Sequence, residues 1–74
     1  MKADKTLDIK GLTDQRPQEV TKDVLNMMTK GQILRVMADD AGARESIALL
    51  CECSGYKLLS MDKEGRIICF TIQK

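Results

Sequence analysis

Lys30-Gly31-Gln32-Ile33-Leu34-Arg35-Val36-Met37-Ala38-Asp39-Asp40 is the stretch on which the fold turns. Lys30-Gly31 reads as a helix stop: a cation suits the last turn, and glycine accepts the positive φ that closes it. Gln32 to Ala38 then alternates, with Leu34, Val36 and Ala38 on one face and Ile33, Arg35 and Met37 on the other. That is the period of a strand. Asp39-Asp40 follows as a pair of carboxylates at the start of a second helix, where they cap free N–H groups and favour the dipole. Helix, strand and helix in direct succession predict a layered domain with helices packed on a sheet.

Upstream, Thr6 to Lys10 alternates as a short half-buried strand, with Leu7 and Ile9 inward, and Gly11 ends it. Leu12 to Arg16 is a loop. Pro17 suits the first turn of a helix, where a missing N–H costs nothing, and Thr13 or Asp14 can cap that helix. Val20, Val24, Met27 and Met28, flanked by Leu25, form the apolar stripe of a helix over 17–30. Downstream, Ala43, Ile47, Leu50, Cys51 and Ser54 line one face of the second helix, and Gly55 ends it. Lys57 to Met61 is a third strand, Asp62 to Gly65 a tight turn, and Arg66 to Gln73 the last strand, with Ile68, Phe70 and Ile72 on one face.

The predicted fold is an α/β (α+β) two-layer sandwich in the order βαβαββ, a four-stranded mixed sheet with two helices on one face. Residues 1–5 read as a polar, mobile start and 6–74 as one domain. Two helices leave the other sheet face open. By alternation it carries Ile33, Met37, Ile67 and Cys69, plus Leu58 or Leu59, an apolar set for a solvated face and so a candidate association surface.

The chain's 74 residues hold one core, built without Trp and with one Phe and one Tyr. A net charge of +1 with mixed signs gives no electrostatic support for nucleic acid. No apolar run approaches the roughly 20 residues that span a bilayer, and the polar start has no signal-peptide character, so the cytoplasm is the expected location. Three cysteines and no histidine argue against a disulfide framework and against a one-chain zinc site, and no metal or cofactor is expected.

The segment Leu7-Asp8-Ile9-Lys10-Gly11-Leu12-Thr13-Asp14-Gln15-Arg16-Pro17 resembles the opening of TusA-like (SirA-like) sulfur carriers. Their pattern is Asp-x-x-Gly-Leu followed by x-Cys-Pro-x-Pro at the start of the first helix. Asp8, Gly11, Leu12 and Pro17 match it. Lys30-Gly31-Gln32-Ile33-Leu34 resembles the family's second strand start, Asp39-Asp40-Ala41-Gly42 its Asp-Asp-Pro-Gly turn, and Ser54-Gly55-Tyr56 the segment after its second helix. The resemblance implies the same βαβαββ sandwich and a place in a sulfur relay. Its partners there are cysteine desulfurases, rhodaneses or persulfide acceptors.

Two departures bear on chemistry. Gln15 stands where the family has its first proline, and Asp14 where it has the cysteine that takes sulfur as a persulfide. A helix start favours an anion, and an aspartate suits that electrostatics, but a carboxylate oxygen cannot hold sulfane sulfur. Asp14 is thus a helix cap or a mimic of the loaded anion; a third role, covalent nucleophile, lacks a partnering base or a phosphate-binding loop. No catalytic residue is assigned, and Gly11, Leu12, Asp14, Arg16 and Pro17 are the candidate partner-binding residues.

The remaining thiols are Cys51, Cys53 and Cys69. Cys51 and Cys53 lie about 200° apart on a helix and cannot serve one site. Cys51 falls on the buried stripe, Cys53 is expected exposed beside Glu52, and Cys69 falls on the open face. The leading expectation is a carrier-derived accessory module that binds a partner and has no turnover of its own. The alternatives are an active carrier or sulfurtransferase using one of these three cysteines, and a small RNA-binding α/β domain, which the charge and scarce aromatics disfavour.

Overall fold

The structure is a computed structural model and describes residues 2–74; Met1, part of the expected mobile start, lies outside them. Its elements run β1 (Lys5–Asp8), α1 (Arg16–Met27), β2 (Ile33–Ala38), α2 (Ala43–Ser54), β3 (Lys57–Glu64) and β4 (Ile67–Gln73). The order is βαβαββ, as the periodicities predict. In the sheet the strands lie β1-β2-β4-β3, with β1 parallel to β2 and β4 antiparallel to both β2 and β3. A parallel pair needs a crossover between its strands, and α1 supplies it.

Both central strands alternate buried and open positions. Leu34, Val36 and Ala38 of β2 meet Ile68, Phe70 and Ile72 of β4 across the register. Leu25 and Met28 close over them from the α1 side, and Ile47, Leu50 and Cys51 from α2. Both helices therefore cover one face, and Phe70 is the largest side chain buried beneath them.

Several local expectations are corrected by groups distant in sequence. Asp4 and Lys5, assigned to the mobile start, are tied to β2: Ile33 N–H donates to the Asp4 carboxylate and Asp4 N–H to the Ile33 carbonyl, both at 2.8 Å. Helix α1 ends at Met27, short of Lys30. Met28 N–H turns back to the Leu25 carbonyl, and the ammonium of Lys74 donates to the Met28 carbonyl at 2.7 Å. The cation at this helix end thus comes from the last residue of the chain.

The buried stripe of α1 is also rotated. Pro17, Thr21, Leu25 and Met28 are buried, Val20 and Val24 are half-buried, and Met27 is 73% exposed. Thr21 can lie inside because its hydroxyl donates to the Pro17 carbonyl at 2.7 Å. Ser54, assigned to the α2 stripe, is exposed at the helix end before Gly55, which closes α2 in the left-handed conformation. Strand β3 runs on to Glu64, and the turn is Gly65-Arg66 rather than 62–65. Asp62, Lys63 and Glu64 read as turn residues, but an edge strand tolerates charge.

Candidate functional site

The loop from β1 into α1 carries the residues of the sulfur-carrier resemblance. Ile9 anchors it, fully buried, with its N–H on the Met37 carbonyl at 2.8 Å. Asp8 accepts from the Lys10 N–H at 3.0 Å and pairs with its ammonium at 3.8 Å, an exposed ion pair of little energetic weight. Gly11 then turns at φ +91°, a conformation open to glycine. Its N–H donates to the Asp39 carboxylate at 2.8 Å. Leu12 is half-buried against the core, and Pro17 is buried in the first turn of α1. Arg16 is exposed at that helix start.

Asp14 and Asp39 both depart from the capping role. The N-cap of α1 is Gln15, and no side-chain hydrogen bond caps the helix. Asp14 is exposed and sits at φ +61°, the one non-glycine in the left-handed region among the described residues. A proline at position 15 would push its predecessor to extended backbone. Gln15 leaves position 14 free of that restriction, and aspartate is among the few side chains that tolerate the left-handed well. Gln15 and the left-handed Asp14 are thus compatible neighbours in this loop. The amides here are also fewer than the sequence implies, since Arg16 N–H already meets the Thr13 carbonyl at 3.2 Å and Pro17 has none. At α2 the N-cap is Gly42, again without a side-chain cap. Asp39 braces the β1–α1 loop through Gly11 instead, a contact across 28 positions that local reading cannot see.

The three thiols separate clearly. Cys51 is buried, and burial pushes its thiol pKa up. Cys53 is exposed on the outside of α2. Cys69 is half-exposed on the sheet face away from the helices and accepts a hydrogen bond from Arg35 Nε at 3.1 Å. That bond, more than the nearby Asp62, holds the Arg35 guanidinium further toward its charged form.

Arg35, Met37, Asp62, Glu64, Ile67 and Cys69 line a cavity of about 540 Å³ on this open face. The face is therefore less apolar than alternation predicts. Arg35 comes from the inner strand β2, and Asp62 and Glu64 of β3 pair with Cys69 and Ile67 in register. An irregularity between Leu58 and Ser60 settles which leucine turns outward: Leu58 packs on the core and Leu59 is exposed. Among the described residues no three His, Cys, Asp or Glu side chains gather as a metal site requires, and no helix is long and apolar enough to cross a membrane.

Comparison with known proteins converges on one family. The family model described as Sulfurtransferase TusA matches residues 5–74. YrkI of Bacillus subtilis, a candidate sulfur carrier by its name, is 43% identical over 74 residues, covering 100% of this chain and 99% of its own. The sulfur carrier protein TusA of Allochromatium vinosum is 34% identical over 71 residues, covering 96% of this chain and 93% of its own. The crystal structure of a SirA-like protein from Desulfitobacterium hafniense superposes with a TM-score of 0.81 at 24% identity, covering 93% of this chain and 95% of that one. It shares the fold.

Proposed function

This chain belongs to the TusA family of sulfur carriers, and on that premise we propose that it serves a sulfur relay as a docking module without a sulfur-accepting cysteine of its own at the family position. The observation that carries this reading is Asp14. It occupies the carrier position in an exposed loop whose matching residues are held in place: Ile9 anchored on β2, Gly11 braced by Asp39, Pro17 buried. The loop retains a form that a sulfur-relay protein can engage, while the atom that would hold sulfane sulfur is replaced by a carboxylate. Gly11, Leu12, Asp14, Arg16 and Pro17 are the residues of that surface. Sulfur loading tests the reading. After incubation with a low-molecular-weight persulfide and gentle removal of the donor, the intact mass of the protein should be unchanged. A gain of one sulfur atom per chain would overturn it.

The contact between Arg35 and Cys69 favours one second reading, an active carrier that uses Cys69. Of the three thiols it alone sits in an open cavity beside a cation. In that case the same loading experiment gives one added sulfur, and Cys69→Ser removes it.

A further inference from the structure

At the end of the sheet where β2 leaves for α2, three cations converge. Arg44 from the first turn of α2, Lys63 from β3 and Arg66 from the β3–β4 turn line a cavity of about 400 Å³ with Asp39 and Ile68. A smaller hollow of about 110 Å³ shares Arg44, Lys63 and Ile68 and adds Met61. All three cations are exposed, and among the described residues none of them forms an ion pair. The single carboxylate of the larger cavity, Asp39, already accepts from Gly11 N–H at 2.8 Å. The groove is therefore locally positive in a chain of net charge +1.

We propose that this groove docks an acidic, partly apolar segment of a partner protein beside the position-14 loop, an inference that rests on the sulfur-relay reading of that loop. Carboxylates of the segment would meet Arg44, Lys63 and Arg66, and its apolar side chains the floor of Met61 and Ile68. Asp39 gives the location its significance. It lines the groove and accepts from Gly11 N–H of the β1–α1 loop, so a segment seated there is one residue removed from the carrier motif. Single-stranded RNA suits the groove less well. No aromatic side chain lines either hollow for a base to stack on, and phosphates have no use for an apolar floor.

Fluorescence anisotropy with a fluorescein-labelled peptide of Glu, Leu and Ser repeats tests this. Binding should weaken as salt rises. The Lys63→Glu/Arg66→Glu variant should weaken it about tenfold or more. Lys22→Glu/Lys57→Glu changes the net charge equally but away from the groove, and should leave binding within about twofold. If the first variant does not fold, Lys63→Gln/Arg66→Gln should still weaken binding several-fold. No binding by the parent protein, equal loss in both charge-reversed variants, or competition by oligouridylate as effective as by unlabelled peptide would each overturn the proposal. The relay reading fails separately, in sulfur loading: groove-dependent peptide binding by a parent protein that takes up sulfur leaves the docking groove standing and removes only the claim that the module carries none.

Discussion

Position 14 and position 69 divide between them what a sulfur carrier needs in one place. At position 14 the loop is braced, exposed and set at a helix start, and its side chain is a carboxylate. At position 69 the side chain is a thiol in contact with a cation, on the floor of an open cavity, with no helix terminus in its lining. The difference shows that a carrier's chemistry is not a property of having cysteines. Three are present, and the fold buries one, exposes one on the surface of α2 and turns one onto the far sheet face.

The largest expected effect comes from returning the thiol to the loop. Asp14→Cys/Gln15→Pro restores both departures at once, and the proline moves residue 14 toward extended backbone. This variant should gain one sulfur atom from a small persulfide donor, seen by intact mass, where the parent gains none. Asp14→Cys alone should load less, because the cysteine would have to occupy a left-handed backbone. If the double variant takes up no sulfur while the parent does so through Cys69, the comparison is reversed and the open face is the working site.

Thiol labelling sharpens the same contrast. Cys53 should react fastest with a maleimide in the native state, Cys69 more slowly, and Cys51 only on unfolding, read by peptide mass after timed quenching. Burial raises the Cys51 pKa, so its contribution to stability is fully present below the ordinary thiol value of about 8.5 and is lost as pH rises through the folded value. Native labelling of Cys51 as fast as in denaturant would break the assignment.

The fold was legible because its signals are periodic and repeated. Leu34, Val36 and Ala38 against Ile68, Phe70 and Ile72 can be read from alternation, and Gly55 from helix-end chemistry. The candidate site was legible in its residues but not in their roles. Asp14 and Asp39 both read as caps, because a carboxylate before a helix usually is one. In the folded chain Asp39 serves a loop 28 residues upstream, and Asp14 serves its own backbone conformation. The bond from Arg35 to Cys69 and the meeting of Arg44, Lys63 and Arg66 depend on register and on turn position, which composition does not encode.

The brace offers a middle-sized effect. Asp39→Ala removes a charge-assisted bond to Gly11 N–H, and the expected loss is about 1.5 kcal/mol in urea unfolding. Amide exchange at Gly11 should quicken while that of β4 follows only the global change. Unaltered exchange at Gly11 would show that the loop holds its shape without Asp39, and its conformation would need another cause.

The smallest effect decides what Asp14 is for. A capping residue and a residue chosen for left-handed backbone predict the same outcome for most substitutions. Asparagine serves either role, alanine loses about 1 kcal/mol under both, and glycine changes little. Threonine separates them. It caps helices well, but its branched β-carbon is among the least compatible with positive φ. Since Gln15 is the N-cap and no side chain caps α1, Asp14→Thr should cost about 1–2 kcal/mol in urea unfolding, at least as much as Asp14→Ala. Pairing it with Gln15→Pro should recover part of the loss, because the proline shifts residue 14 to extended backbone, which threonine favours. An Asp14→Thr protein as stable as the parent would restore the capping role. It would also mean that the left-handed backbone at residue 14 does not penalise a branched side chain, and that Asp14→Cys alone should then load sulfur as well as the double variant does.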